Sequence, residues 1–136
     1  MRIRYFFALM LVSSCVKSQN LTCVDFKTGT FIAESINYKM PTTIINRSEK
    51  TQKESVEGLE TLEAKIEWKS ECNFELIYLN GPPEVKGEKI NVEIIKIEGQ
   101  KAICTATVDS KPEVILNFEL EKQKLQRSLE KIVTTL

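Results

Sequence analysis

The sequence predicts a mainly β fold: one small antiparallel barrel of about eight strands that follow one another up and down. Apolar and polar residues alternate along most of the chain, and turn-forming residues recur at roughly ten-residue intervals. No segment before residue 122 has the apolar spacing of an amphipathic helix, which argues against a parallel sheet with crossover helices.

The first fifteen residues have the pattern of an export signal. Arg2 and Arg4 precede an uncharged run that ends at Cys15, as in a secretory signal peptide. The run is shorter than the about 20 apolar residues that span a bilayer. Its last four residues, VSSC, resemble the bacterial lipobox, so we predict that residues 1–14 are removed and that Cys15 carries a lipid. An ordinary signal peptide cut near Ser18, which would discard Cys15, is the alternative.

Composition limits the class of function. Removing residues 1–14 from 136 leaves 122, enough for one domain with a real core. We assign residues 15–24 to a lipid-anchored linker and 25–136 to the barrel domain. Without Arg2 and Arg4, 19 basic residues become 17 against 19 acidic ones, a net charge near −2, which gives no general attraction to nucleic acid.

The chain contains no histidine. The usual general base and the commonest metal ligand are therefore missing. No carboxylate stands out as one of a buried pair. We predict that the protein is not an enzyme and has no catalytic residue, metal site or cofactor.

Four cysteines, at positions 15, 23, 72 and 104, show no C-x-x-C spacing and so indicate neither a zinc site nor a thioredoxin-like motif. With a lipid on Cys15, three cysteines remain in a compartment that favours disulfides. Cys23 and Cys72 lie at the edges of strand patterns, whereas Cys104 lies in mid-strand on the same face as two alanines. We predict a Cys23–Cys72 disulfide and a buried Cys104 thiol.

The first half of the domain contains five predicted strands. Residues 27–36 and 42–49 form two, and the polar third, residues 50–57, is expected at an edge or in a solvated hairpin. Residues 61–72 alternate, with Leu62, Ala64, Ile66 and Trp68 on one face and charged residues on the other, which we interpret as a solvated face. Residues 72–79 continue in phase after a turn near Ser70 and Glu71, and NGPP ends that strand.

The second half is predicted to form a three-stranded meander and a helix. Residues 88–97 change phase at Ile95, which indicates a bulge or a stretch covered on both faces. Residues 101–108 and 112–121 follow, the latter with Val114, Leu116, Phe118 and Leu120 inward. Apolar residues then recur every three or four positions, which predicts a helix at 122–134 that closes one side or end of the barrel. A ninth strand there is the alternative, because Val133, Thr134 and Thr135 are weak helix formers.

Three segments, CVDFKTGTF, NRSEKTQKE and WKSECNFEL, resemble small lipoproteins of Bacteroidetes, especially of flavobacteria. The shared pattern is a lipobox, C-x-x-F-K-T-G-x-F, a hairpin with Arg and Gln, and W-x-x-x-C-x-F-x-L. It covers roughly residues 10–80, and it implies a lipocalin-like barrel without implying an activity. The matching positions are Cys23, Phe26, Lys27, Thr28, Gly29, Phe31, Arg47, Gln52, Trp68, Cys72, Phe74 and Leu76.

Two further points follow from this resemblance. Members of the group often carry the label DNA topoisomerase IV, which the export signal, the short chain and the lack of a basic face do not support. Gly29-Thr30-Phe31 stands where lipocalins carry G-x-W, whose aromatic side chain plugs the closed end of the barrel. A strand glycine beside a core phenylalanine is an equally good interpretation of this triplet.

The sequence is compatible with two functions. An eight-stranded barrel can hold one small ligand or be filled by its own side chains. Aromatic residues crowd this interior, whereas Ala64, Ala102, Cys104 and Ala106 leave room, so at most a shallow apolar pocket is expected.

The first hypothesis is a lipid-anchored envelope lipoprotein that binds a small apolar ligand. The alternative is a non-catalytic structural lipoprotein that docks an envelope protein. The residues after Cys15 lack an acidic cluster, which favours the outer membrane, facing the periplasm.

Overall fold

A computed structural model describes residues 20–124, and within them the chain forms a closed eight-stranded barrel. Each strand pairs antiparallel with the next, and β1 pairs with β8 to complete the ring. The predicted mainly β, up-and-down architecture is confirmed. In chain order the elements are a 3₁₀ helix at Cys23–Phe26, β1 Gly29–Ser35, β2 Thr43–Arg47, β3 Thr51–Ser55, β4 Leu62–Trp68, β5 Asn73–Tyr78, β6 Lys89–Glu98, β7 Lys101–Val108 and β8 Lys111–Lys122.

The hairpin of β4 and β5 follows the sequence pattern. Ala64 and Ile66 are buried while Lys65 and Glu67 are exposed, because successive side chains of a strand point to opposite faces. The two strands pair from Ala64 opposite Tyr78 to Trp68 opposite Phe74. The turn lies between them at residues 69–72, where it was expected.

The phase change in β6 is a β-bulge. The register with β7 shifts between Ile94 and Lys96, and the extra residue, Ile95, is 61% exposed. A bulge puts two residues of one strand opposite one residue of its partner. It therefore returns the apolar residues that follow to the inner face, as Ile97 opposite Ala102 shows.

Two details of the strand prediction are wrong. The polar strand β3 is not at an edge, because it pairs with β2 and with β4 and its Gln52 is buried. Val114 does not point inward but is exposed. The register of β7 with β8 shifts so that Val108 pairs with Lys111 and Thr107 with Ile115, which leaves Val114 without a partner.

At both ends of the described region, the secondary structure differs from the prediction. Lys122, the first residue of the predicted C-terminal helix, is the last residue of β8. Residues 123 and 124 are described and are not helical, so the predicted helix start is wrong. The remainder of the predicted helix, residues 125–134, lies outside the described residues, as do residues 1–19 with Cys15. At the other end, Cys23 and Val24, assigned to the linker, form the start of the 3₁₀ helix.

The two ends of the barrel differ. At the closed end lie the β2–β3, β4–β5 and β6–β7 turns, and the 3₁₀ helix packs there: Cys23 is bonded to Cys72, Leu21 N–H donates to Gly99 C=O, and Lys122 Nζ donates to Asp25 C=O. At the open end lie the β1–β2, β3–β4 and β5–β6 loops and the β7–β8 turn. The core runs between the two ends and comprises Phe26, Phe31, Ile45, Ala64, Ile66, Phe74, Leu76, Tyr78, Val92, Ile94, Ala102, Cys104, Ala106 and Leu120.

Candidate ligand cavity

A cavity of about 140 Å³ occupies the open half of the barrel. Its lining comes from seven of the eight strands and from the β1–β2 loop, and most of it is apolar. The sequence allowed a shallow pocket, and the geometry contains one. The lining residues are Ala33, Glu34, Ser35, Met40, Pro41, Thr43, Ile45, Arg47, Gln52, Glu54, Phe74, Leu76, Tyr78, Ile90, Val92, Ala106, Leu116 and Phe118.

The closed half is filled by aromatic side chains. Phe31 stacks on Phe26 of the 3₁₀ helix with ring centroids 5.5 Å apart, and Trp68 packs on Phe74 at 4.6 Å. Phe31 therefore plugs the closed end. Trp68 Nε1 is the one buried side-chain nitrogen or oxygen of residues 20–124 that has no hydrogen-bond partner. The expectation of crowding holds for this half of the interior.

Arg47 forms the boundary between the filled half and the cavity. It is 5% exposed, and its guanidinium carbon lies 4.5 Å from the centroid of Phe74 and 5.2 Å from that of Phe31. Nη1 donates to Phe26 C=O at 2.7 Å, and Nε donates to Gln52 Oε1 at 2.9 Å. Burial lowers the pKa of Arg47 to about 10, so the group is still a cation at neutral pH.

Gln52 relays the polar interaction from Arg47 to Glu54. Its amide Nε2 donates to Glu54 Oε1 at 2.8 Å while its Oε1 accepts from Arg47. Tyr78 from β5 donates its hydroxyl to the same carboxylate, 2.8 Å from Oε1 and 2.9 Å from Oε2. Burial, and then the charge of Glu54, raise the pKa of Tyr78 well above its usual range, so the phenol keeps its proton.

The sequence marked Arg47 and Gln52 only as positions shared with the lipoproteins it resembles. It predicted Tyr78 as one of the bulky inward aromatic residues, without a polar role, and it gave Glu54 no role. One signal was available: Arg47 lies two residues after the apolar Ile45 and so faces the same side of β2. Gln52 lies directly opposite Arg47 in the β2–β3 pairing. Only the closed barrel makes that side the interior.

The predicted disulfide is confirmed. Cys23 and Cys72 are bonded, with their Cα atoms 5.3 Å apart. Cys104 is a free, buried thiol, and burial raises its pKa to about 12 although Arg47 opposes the shift. A thiol so rarely ionised is not a nucleophile. The lipid site predicted at Cys15 lies outside the described residues.

Across residues 20–124, no three His, Cys, Asp or Glu side chains are grouped so that they could hold a metal ion. In the same part of the chain, no helix has the length and apolar character needed to cross a membrane. Comparison of the sequence and fold with protein-family models, curated proteins and solved structures finds no match.

Proposed function

We propose that the barrel binds a small apolar molecule through its open end, in a protein that a lipid on Cys15 holds in the cell envelope. The observation that carries the proposal is the cavity of about 140 Å³ with a mainly apolar lining. An engineered apolar cavity of about 150 Å³ is large enough to bind benzene. The part of a ligand held inside this barrel is therefore about the size of a benzene ring.

The mouth of the cavity supports entry of an apolar ligand. Ile36, Tyr38 and Met40 in the β1–β2 loop are each about half exposed, and Met40 also lines the cavity. Unbranched Met side chains adapt to irregular apolar partners. An apolar path therefore leads from the surface of the open end into the interior.

Anchoring and location belong to the same proposal. The apolar run that ends in VSSC supports lipid attachment at Cys15, and the absence of an acidic cluster after it supports an outer-membrane position facing the periplasm. We propose no catalytic role. Arg47, Glu54 and Tyr78 are linked by hydrogen bonds directly or through Gln52, and burial raises the pKa of the free thiol of Cys104.

Native mass spectrometry of the mature protein, purified gently from the cell envelope without added lipid, tests ligand binding. Ala106 lines the cavity and is 6% exposed, so Ala106→Leu fills part of the space. Lys101→Leu on the same strand, at an exposed position, is the matched control.

The wild type and the control should carry a discrete mass, different from that of any detergent, that disappears on denaturation. Ala106→Leu should carry less of it. A bare polypeptide in all three would contradict ligand binding.

That outcome would favour the second candidate, a structural lipoprotein that docks an envelope protein. The same half-exposed residues of the β1–β2 loop, with Leu59 and Leu79 in the neighbouring open-end loops, offer an apolar surface to such a partner. The search would then move to proteins that crosslink to these loops in the intact envelope.

A further inference from the structure

The unused hydrogen-bond donors of the cavity belong to Arg47. A guanidinium has five N–H donors, and two of them are taken, by Phe26 C=O and by Gln52 Oε1. The other three have no acceptor among the described residues. The Arg47 side chain is 95% buried and lines the cavity. Its free donors are not among the fully enclosed unpaired atoms of residues 20–124, so they open onto the cavity space, where a ligand atom can accept from them.

Glu54, the carboxylate of the same hydrogen-bond network, does not accept from the free donors of Arg47. Both oxygens of Glu54 already accept hydrogen bonds, from the hydroxyl of Tyr78 and the amide of Gln52. Gln52 stands between Glu54 and Arg47, so no hydrogen bond joins the two charges directly. The other acid of the lining, Glu34, is exposed on β1. Both oxygens of Glu54 thus serve other donors, while donors of Arg47 at the floor of the cavity are free.

A positive charge with little direct pairing is costly in an apolar interior, and a neutral acceptor relieves only part of that cost. A carboxylate supplies both the negative charge and two oxygens in the geometry that a guanidinium fork matches. We propose, resting on the proposed function, that the ligand is an amphipathic carboxylate that binds head first, with its carboxylate on Arg47 and its apolar tail directed to the open end.

The residues at the floor and at the mouth of the cavity determine the orientation of such a ligand. Arg47 and Phe74 lie at the floor, 4.5 Å apart from guanidinium carbon to ring centroid, and Met40 lies at the mouth on the β1–β2 loop. A tail longer than a benzene-sized volume must leave the barrel there, where Ile36 and Tyr38 are also exposed. Octanoate and 1-octanol, which have the same chain and different head groups, are suitable probes.

Titration of the ¹⁵N-labelled mature protein with each probe, followed by NMR, tests the head group. Hydrogen bonds to a charged group favour octanoate, so we expect it to bind about tenfold to a hundredfold more tightly than 1-octanol. Arg47→Met should remove that preference. Lys53→Met, which deletes a positive charge at an exposed position of β3, should leave both affinities unchanged.

The outcomes separate the two proposals. Equal or tighter binding of 1-octanol to the wild type overturns the carboxylate and leaves the apolar site standing. Binding of neither probe overturns both proposals.

Because Arg47 packs among core aromatics, Arg47→Met can also fail to fold, so a measurement on the wild type is added. Intermolecular NOEs should join the C2 methylene of octanoate to the Phe74 ring and its terminal methyl group to Met40. The reverse pattern overturns head-first binding.

Discussion

At the scale of single residues, the polar interior depends on hydrogen bonds that are made in series. Arg47 donates to Gln52, Gln52 donates to Glu54, and Tyr78 donates to Glu54. The hydrogen bonds of a buried network specify one arrangement of its members, and a member that loses its partner is destabilising. Removing any one member therefore affects the partner that is left behind.

Tyr78→Phe tests the network without changing the shape of the core. The substitution deletes only the hydroxyl that donates to Glu54, and we expect a loss of about 1–2 kcal/mol in the free energy of unfolding at pH 7. Urea unfolding measures this value. Tyr38→Phe, at a half-exposed position, is the matched control and should change stability by less than about 0.5 kcal/mol.

The raised pKa of Tyr78 predicts that the stability difference between the wild type and Tyr78→Phe depends on pH. The pKa of Tyr78 is raised in the folded state above its ordinary value of 10.0, so the unfolded chain loses this proton first. The stability that Tyr78 contributes is fully present below pH 10 and is lost as the pH rises further. The advantage of the wild type over Tyr78→Phe should shrink by about 1.4 kcal/mol per pH unit above that point. A constant difference up to pH 11 would contradict the assignment.

At the scale of elements, the 3₁₀ helix is the cap of the closed end, and three different interactions hold it. Its Phe26 stacks on Phe31, its backbone accepts from Arg47 and Lys122, and its Cys23 is bonded to Cys72 in the β4–β5 turn. A four-residue helix has no stability of its own. The cap therefore depends on these attachments, and of these the disulfide alone is covalent.

Reduction of the disulfide should destabilise the whole domain. Cys23 and Cys72 are 49 residues apart, and the chain-entropy model gives about 4 kcal/mol for a loop of that length. The urea midpoint of the wild type should fall when a reductant is added. Cys23→Ala/Cys72→Ala should have the lower midpoint with or without the reductant. Unchanged unfolding of a chain whose thiols are shown to be reduced would refute this prediction.

The elements also show which parts of the fold the sequence could specify. β4, β5 and β6 have one apolar face each, so their period, and the bulge at Ile95, are visible in the sequence. β3 has no apolar face, because its inward residues Gln52 and Glu54 serve a buried charge on a neighbouring strand. Local pattern cannot distinguish such a strand from a solvated one. The candidate site was missed for the same reason.

At the scale of the whole molecule, the N-terminal end of the described chain and the mouth of the cavity are at opposite ends of the barrel. The described chain enters at the closed end, where Leu21 is hydrogen-bonded to Gly99. Cys15 and Asn20 are five positions apart in the sequence, a separation that can span at most about 18 Å. A lipid on Cys15 would therefore hold the closed end near the bilayer and leave the mouth of the cavity directed away from it. A ligand would then be exchanged on the side remote from the anchoring membrane.

Cys15→Ser tests the anchor on which that orientation depends. We expect the wild type in the membrane fraction, with the mass of a chain that begins at Cys15 plus its acyl groups, because two or three chains hold a protein far more firmly than one. Cys15→Ser should move to the soluble envelope fraction without the added mass. Cys104→Ala, which removes a buried thiol instead, should stay in the membrane. A Cys15→Ser protein retained there at the wild-type mass would refute the anchor. A soluble wild type that begins after Ser18 would establish the ordinary signal peptide and free the closed end from the membrane.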